Sequence, residues 1–157
     1  MKPYPYQQEG LDEIIEKFDA HNRVLYQLGT GGGKTAIFTF LIEAWLKNHA
    51  SNVLILCHRT ELITQSEETL NRIGIGSEPI IAKVKNAEHH SRVYIGMIET
   101  THRRLQKNPY FFKNIGLIIT DEAHILVFSK VFDYFPNAKI LGCTATPAVM
   151  KRITFWR

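Results

Sequence analysis

Seven residues near the amino terminus combine glycines with a lysine and a threonine in an order that suits phosphate binding. Residues 29–35 read Gly-Thr-Gly-Gly-Gly-Lys-Thr. A bound phosphate needs backbone N–H groups turned toward it, and glycine lets the backbone approach because no Cβ intervenes. An apolar run precedes the segment and a helical pattern follows it, so a helix amino terminus would add its positive dipole end. We predict a phosphate-binding loop, against the alternative of a flexible connection.

Each residue type in this loop has its own chemical task. Lys34 would reach the β- and γ-phosphates of a nucleotide, and the Thr35 hydroxyl is a Mg²⁺ ligand. The general P-loop pattern places a glycine where this chain has Leu28, but the remaining glycines still supply the turn. The residues expected to cradle the phosphates are Gly29, Thr30, Gly31, Gly32 and Gly33.

Two adjacent carboxylates follow the apolar run at 117–119. Asp121 can hold Mg²⁺, largely through water, and Glu122 can orient or deprotonate the water that attacks a γ-phosphate. The alternative makes Asp121 a helix N-cap and Glu122 a partner of the helix dipole. Because a phosphate-binding loop is predicted in the same sheet, we favour the catalytic interpretation.

Apolar runs separated by helical stretches must position these groups. Short runs without alternation are typical of strands buried on both faces of a parallel sheet. They occur at 24–28, 53–57, 93–95, 117–119 and 140–143, with a weaker one at 80–82. The pattern predicts an α/β fold, a three-layer parallel sheet with helices on both faces, whose ligands bind at the carboxyl ends of the strands.

Three helical patterns accompany the runs. An amphipathic first helix is predicted from the apolar spacing of Leu11, Ile14, Ile15 and Phe18. The second begins near Lys34 and is apolar except for a narrow solvent-exposed polar stripe at Thr39, Glu43 and Lys47. The third covers 60–73, and Gly74 is placed to end it at C′.

Composition narrows the class of protein. The chain has 157 residues, 45% of them hydrophobic, which indicates one domain over 1–157. The longest apolar stretch, 36–46, is far shorter than the ~20 residues of a membrane span, and with no visible secretory signal we expect a cytoplasmic protein. A net charge of +4 permits polyanion binding without requiring it. Cys57 and Cys143 each end an apolar run and are expected to be free thiols.

Three motifs, in the order in which they occur along the chain, resemble those of the first RecA-like domain of superfamily 2 helicases of the DEAD/DEAH type. They are the loop at 29–35, Asp-Glu-Ala-His at 121–124 and Thr-Ala-Thr-Pro at 144–147. The segment 5–8 looks like the Q motif and 57–62 like motif Ia, with restriction-subunit and repair-type helicases as the nearest subgroup. The resemblance implies a P-loop NTPase fold and hydrolysis of ATP to ADP and phosphate, with Mg²⁺ as cofactor.

The resemblance also implies roles for individual residues. Gln7 would read the adenine edge, against the alternative of a surface glutamine at a helix start. Arg59 and Thr60 would grip a nucleic-acid phosphate at a helix start, although Thr60 could simply cap that helix. Thr100 in a motif Ib-like segment would contact the nucleic-acid backbone. Coupling of hydrolysis to movement is implied for His124, Thr144 and Thr146, against the alternative that a threonine caps a helix with Pro147 at N1.

Three features outside these motifs can be explained by folding or solvation alone. Arg103 and Arg104 fit a solvated basic helix face as well as a nucleic-acid contact. The pair at 89–90 is predicted to lie in a polar loop, because two adjacent histidines without further ligands make a poor metal site. The aromatic segment 110–112 is predicted to pack in the core or at a domain interface, against the alternative of a platform on which bases stack.

These expectations together describe an ATP-binding motor domain of a nucleic-acid-dependent helicase or translocase. We expect nucleic acid as a partner, with DNA favoured over RNA, and no membrane. The family's second RecA-like domain is expected in the full-length protein or in a partner chain, so that this chain alone would hydrolyse ATP slowly. A non-catalytic nucleotide-sensing or nucleic-acid-binding module and a P-loop kinase are the alternatives.

Overall fold

The computed structural model describes residues 2–27, 33–83, 90–121, 127–144 and 152–155. The strands are β1 (Arg23–Gln27), β2 (Asn52–Cys57), β3 (Glu78–Ile80), β4 (Val93–Met97), β5 (Ile115–Asp121), β6 (Lys139–Thr144) and β7 (Arg152–Phe155). The helices are α1 (Pro5–Ala20), α2 (Lys34–Asn48), α3 (Thr60–Arg72), α4 (Ile98–Lys107) and α5 (Val127–Phe132).

The strands form one sheet in the order β3-β4-β2-β5-β6-β1-β7. All neighbouring pairs from β1 to β6 are parallel, and β7 lies antiparallel beside β1. The predicted three-layer α/β sheet is confirmed, and five of the six predicted strands correspond to β1, β2, β4, β5 and β6. The weaker run at 80–82 overlaps β3 only at Ile80, because the strand begins two residues earlier, at Glu78. The antiparallel strand β7 was not predicted.

The sheet buries an apolar core on each face because side chains alternate along every strand. Val53 and Ile55 of β2 belong to a core that α1, α2 and α3 cover, whereas Leu54 and Leu56 belong to a second core under α4 and α5. Runs without polar alternation therefore mark strands covered on both sides. Among the described helices, none combines the length and the apolar character that a bilayer crossing requires.

The predicted helices form, with two differences. Ile14 is fully buried under α1, but its neighbour Ile15 is 42% exposed and lies outside the core. Thr39 on α2 is buried rather than wet, because its hydroxyl donates to the Thr35 carbonyl at 2.8 Å and so needs no water. The exposed stripe is limited to the ion pair of Glu43 and Lys47, at 3.1 Å.

The end of α3 follows its prediction closely. Gly74 has a φ of +79° and lies at C′ after the C-cap Ile73. Its N–H donates to the Asn71 carbonyl, and the Ile75 N–H donates to the Leu70 carbonyl, both at 3.0 Å. These two bonds are the Schellman pattern, which satisfies carbonyls that the helix leaves free.

Candidate nucleotide-binding site

The carboxyl ends of three adjacent strands meet at one edge of the sheet. The register pairs Gln27 of β1 with Thr144 of β6, and Asp121 of β5 with Cys143 of β6. Strand β6 therefore separates the strand that leads into the glycine loop from the strand that ends in Asp121. Two strand spacings amount to roughly 10 Å, a distance that a lysine side chain and a carboxylate can bridge.

Lys34 and Asp121 make this bridge. Asp121 continues the alternation of Leu117 and Ile119, both of which face α1 to α3, so its carboxylate lies on the side of α2. Lys34 is the first residue of α2, and its Nζ lies 3.4 Å from Asp121 Oδ1. Both side chains are 23% exposed, which leaves the pair accessible to a ligand. The structure thus brings together two candidate residues that are 87 positions apart.

Gly33 and Gln7 meet beside this pair. Gly33 precedes α2 with a φ of +83°, and a Cβ there would lie only 2.8 Å from Gln7 Nε2. Gln7 is 5% exposed, so the alternative of a surface glutamine is wrong. Its Oε1 accepts the Tyr4 N–H at 2.9 Å, and its Nε2 donates to the Tyr6 hydroxyl at 3.4 Å. The amide therefore lies against the last glycine of the loop.

Two buried thiols flank Asp121, one on each neighbouring strand. Burial raises the pKa of Cys57 to about 12 and that of Cys143 well above its ordinary value, and the negative charge of Asp121 adds to both shifts. Lys34 acts in the opposite direction on Cys143 but is the weaker influence. Both residues are free thiols, as predicted. The raised pKa values keep both thiols neutral near pH 7, on the two strands that neighbour the strand of Asp121.

Tyr26 is a further residue of this region that sequence reasoning missed. It lies on β1 next to Gln27, is fully buried, and its hydroxyl has no hydrogen-bond partner within the described part of the chain. Burial raises the pKa of Tyr26 to about 12, with smaller contributions from Cys143 and from Glu13 on α1. Its place in an apolar run gave no signal that distinguishes it from a core residue.

The candidate nucleic-acid contacts begin two helices at the same edge of the sheet. Arg59, exposed and extended, is the N-cap of α3, and the exposed Thr60 is its first helical residue. Thr60 therefore does not cap the helix, because Arg59 occupies that position. Thr100 is half-buried in the first turn of α4. Since Cys57 pairs with Met97, the two helix starts lie beside each other on adjacent strands.

Several candidates lie outside the described residues. These are Gly29, Thr30, Gly31, Gly32, Glu122, His124 and Thr146, together with His89 of the histidine pair and the side chain of Thr144. In the described ranges, no group of three or more His, Cys, Asp or Glu residues is arranged so that it could hold a metal ion. The Asp121 carboxylate and the exposed Thr35 hydroxyl nevertheless offer oxygen ligands that suit Mg²⁺, which keeps several of its waters and needs few protein ligands.

Comparisons with known proteins agree with this architecture. The family model described as "Type III restriction enzyme, res subunit" matches residues 1–149. IRC3 of Saccharomyces cerevisiae, named as an ATP-dependent helicase, is 34% identical over 159 residues, which cover 90% of this chain and 23% of IRC3. QP509L of African swine fever virus, named as an ATP-dependent RNA helicase, is 31% identical over 153 residues, which cover 92% of this chain and 29% of QP509L.

A solved structure has the same fold. The Type ISP restriction-modification enzyme LlaGI, determined in complex with a DNA substrate mimic, matches with a TM-score of 0.75 and 22% identity over 96% of this chain and 18% of LlaGI. This chain spans about a quarter of the length of the curated relatives it matches. The resemblance drawn from the motifs is confirmed at the level of family and fold: the chain belongs to the family described as "Type III restriction enzyme, res subunit" and shares the RecA-like fold of LlaGI.

Proposed function

We propose that this chain is an ATP-binding motor domain of a nucleic-acid-dependent helicase or translocase, hydrolysing ATP to ADP and phosphate. The observation that carries the proposal is the approach of Lys34 Nζ to Asp121 Oδ1, at 3.4 Å, beside the left-handed Gly33 at the start of α2. An ammonium group at a helix amino terminus beside a strand-end carboxylate is what a triphosphate and its metal require. The names given to IRC3 and QP509L, which describe an ATP-dependent helicase and an ATP-dependent RNA helicase, support it.

The reaction would divide among these residues as follows. Lys34 would leave its ion pair with Asp121 and bind the β- and γ-phosphates instead, so that the Asp121 carboxylate becomes free. Thr35 and Asp121 would then hold Mg²⁺, which when bound neutralises charge on the phosphate oxygens. Glu122 would orient the attacking water and accept its proton. The Gln7 side-chain amide would give up its hydrogen bonds to the Tyr4 N–H and the Tyr6 hydroxyl and form hydrogen bonds with the adenine edge instead.

The adjacent starts of α3 and α4 support a nucleic-acid track on the same edge. Helix amino termini bind anions, and Arg59, Thr60 and Thr100 would contact successive phosphates of one strand. The coupling residues would be His124, Thr144 and Thr146, and Thr144 ends the strand between β1 and β5. We propose DNA as the substrate, which the DNA substrate mimic bound to LlaGI supports and the RNA helicase name of QP509L leaves to experiment.

Turnover would require a second RecA-like domain, in the remainder of the full-length protein or in a partner chain. This chain would be a single domain over 1–157, about a quarter as long as its curated relatives. Arginine fingers, which such a domain would supply, are worth ~10³–10⁵ in rate in nucleotide hydrolases. The isolated chain should therefore bind ATP and hydrolyse it slowly.

A comparison of two lysines on one helix tests the proposal. Lys34→Ala removes the ammonium group at the start of α2, and Lys47→Ala removes an exposed one that pairs with Glu43 near its end. Titration with a fluorescent ATP analogue and Mg²⁺ should show at least tenfold weaker binding for Lys34→Ala and unchanged binding for Lys47→Ala. Equal affinity of the two variants, or no nucleotide uptake by the unmodified chain, would overturn the proposal.

A second measurement separates the motor from a nucleotide-sensing module. ATP turnover is followed in the full-length protein, or with the second domain supplied in trans, with and without DNA or RNA. Stimulation by nucleic acid is expected, together with its loss in Lys34→Ala. Nucleotide binding without stimulated turnover would indicate the sensing module instead.

A further inference from the structure

The basic excess of this chain is concentrated in one segment. Residues 102–114 contain four Lys or Arg residues and no Asp or Glu. Since the net charge is +4, the rest of the chain carries equal numbers of basic and acidic residues. The segment therefore carries a local positive charge, which favours an anionic ligand.

The segment continues a face that begins at the proposed nucleic-acid track. Thr100, Arg103 and Lys107 follow the spacing i, i+3, i+7 on α4, which places them on one side of the helix. The Arg103 side chain is 69% exposed, and Lys107 is also exposed. A helix of 10 residues is about 15 Å long. This face therefore runs from the carboxyl edge of the sheet toward the opposite edge.

The loop after α4 adds an outward-facing aromatic ring. Phe112 is buried in the core, and Phe111 lies beneath the Arg104 guanidinium at 5.8 Å, so the loop is anchored. Tyr110 is 86% exposed, and its N–H donates to Asn108 Oδ1 at 3.0 Å. The prediction that 110–112 pack in the core or at a domain interface is thus fulfilled by the two phenylalanines, but Tyr110 is not a core residue. Anchoring by its neighbours holds its ring in solvent.

We propose that Arg103 and Lys107 on α4, together with Tyr110 and Lys113 in the exposed loop that follows it, bind a nucleic acid beyond the contacts assigned to Thr100. We call these four residues the α4 basic surface. Lys107 and Lys113 are exposed and form no salt bridge with any residue of the described ranges. Arg103 pairs with Glu99 at 3.6 Å, and such an exposed pair is weak enough for a phosphate to replace. The ring of Tyr110 can stack on an unpaired base.

A protein partner fits this surface less well. The core of a protein interface is apolar, and the only large apolar side chain exposed at this end of α4, within the described part of the chain, is Tyr110. The charges of Arg103 and Lys107, about 6 Å apart along the helix axis, instead match the closely repeated phosphates of a strand. The inference rests on the nucleic-acid half of the proposed function and needs no nucleotide.

The salt dependence of binding tests the surface. The double variant K107Q/K113Q is compared with K17Q/K47Q, which removes two exposed lysines from α1 and α2. Binding of labelled duplex and single-stranded DNA is measured without nucleotide between 50 and 200 mM salt. Loss of two phosphate contacts should lower the slope of log K against log[salt] by about 1.8 for duplex or about 1.4 for single strands. The control should keep the slope of the unmodified chain.

Tyr110→Ala isolates the contribution of the ring. It should weaken binding of single-stranded DNA by roughly fivefold or more and leave the salt slope unchanged, because stacking releases no counterions. If K107Q/K113Q kept the salt slope of the unmodified chain, or if both double variants lowered that slope equally, the proposal would be overturned. Titration with a fluorescent ATP analogue accompanies each measurement. If the unmodified chain binds no nucleotide, the proposed motor function is contradicted. If K107Q/K113Q has a lower salt slope than the unmodified chain and still binds nucleotide, the α4 basic surface is supported.

Discussion

At the scale of single residues, Gly33 and Gly74 form a matched pair. Their φ values are +83° and +79°, a region where a side chain costs about 1–2 kcal/mol. Only Gly33 has a close neighbour, since a Cβ at Gly74 would meet nothing within 4 Å. Gly74→Ala should lower the free energy of unfolding by about 1–2 kcal/mol and leave nucleotide affinity unchanged.

Gly33→Ala should lower stability by at least as much and should also weaken nucleotide binding. An added Cβ would lie 2.8 Å from Gln7 Nε2, so Gln7 must move away from the loop. Denaturant unfolding and titration with a fluorescent ATP analogue measure the two effects separately. If both alanine variants bound nucleotide like the unmodified chain, contact between Gln7 and the loop would have no part in binding.

The two thiols beside Asp121 predict how stability changes with pH. Burial raises the pKa of Cys57 from 9.0 to about 12 and raises that of Cys143 as well. Above about pH 9 the unfolded thiols lose protons that the native thiols keep, so the free energy of unfolding falls as the pH rises. The decline should reach up to about 1.4 kcal/mol per pH unit for each thiol.

Guanidinium unfolding between pH 8 and 10.5 measures this decline. The variant Cys57→Ala should show a shallower dependence than the unmodified chain, because one of the two shifted groups is absent. Tyr26, whose pKa is raised to about 12, contributes only at the upper end of this range and remains in both proteins. Identical slopes would show that Cys57 is not held neutral by folding.

The residues of the site differ in how far sequence could predict their positions. Lys34 and Asp121 each follow an apolar run, and parallel strands share a carboxyl edge, so their common location follows from spacing. The surroundings of Asp121 depend on strand order. Cys57 and Cys143 flank it only because β2 and β6 are the neighbours of β5, which no local pattern reveals.

At the scale of elements, Arg92 ties the end of α2 to the start of β4. Its guanidinium donates to the carbonyls of Leu46 at 3.0 Å, His49 at 2.6 Å and Ser51 at 2.8 Å. Arg92→Ala should lower the free energy of unfolding by about 1–2 kcal/mol, since these carbonyls lose a charged donor at a partly solvated site. Lys47→Ala, which breaks one exposed pair, should cost about 0.3–0.5 kcal/mol. Equal midpoints in urea for the two variants would contradict this role of Arg92.

The elements also show where periodicity is sufficient and where it is not. Buried parallel strands consist of apolar runs, so β1, β2, β4, β5 and β6 could be predicted from the sequence. Strand β3 contains Glu78 and Pro79 and shares only Ile80 with the run at 80–82. Strand β7 reads Arg-Ile-Thr-Phe, an alternation that indicates a strand, but four residues are too few to separate it from a connection. Thr39 matched the polar stripe of α2 and is nevertheless buried, because a threonine hydroxyl can bond to its own helix.

At the scale of the whole molecule, two cores share one sheet and should unfold together. Leu105 lies in the core under α4 and α5, whereas Trp45 lies in the core on the other face. Leu105→Ala should lower the free energy of unfolding by about 2–4 kcal/mol and should shift the transition that Trp45 fluorescence reports, in a Trp156→Phe background. Ile15→Ala, at a 42% exposed position, should shift it far less. A Trp45 midpoint that stayed constant while circular dichroism shifted would show that the faces unfold independently.

Burial of both native sulfhydryls has a practical consequence. The chain contains two cysteines, and both are shielded and neutral in the folded state. A maleimide dye attacks only accessible thiolates, so it should leave both intact near neutral pH. One cysteine introduced on the surface would then be the sole attachment point, and the chain could be labelled for single-molecule fluorescence with its native sequence otherwise unchanged.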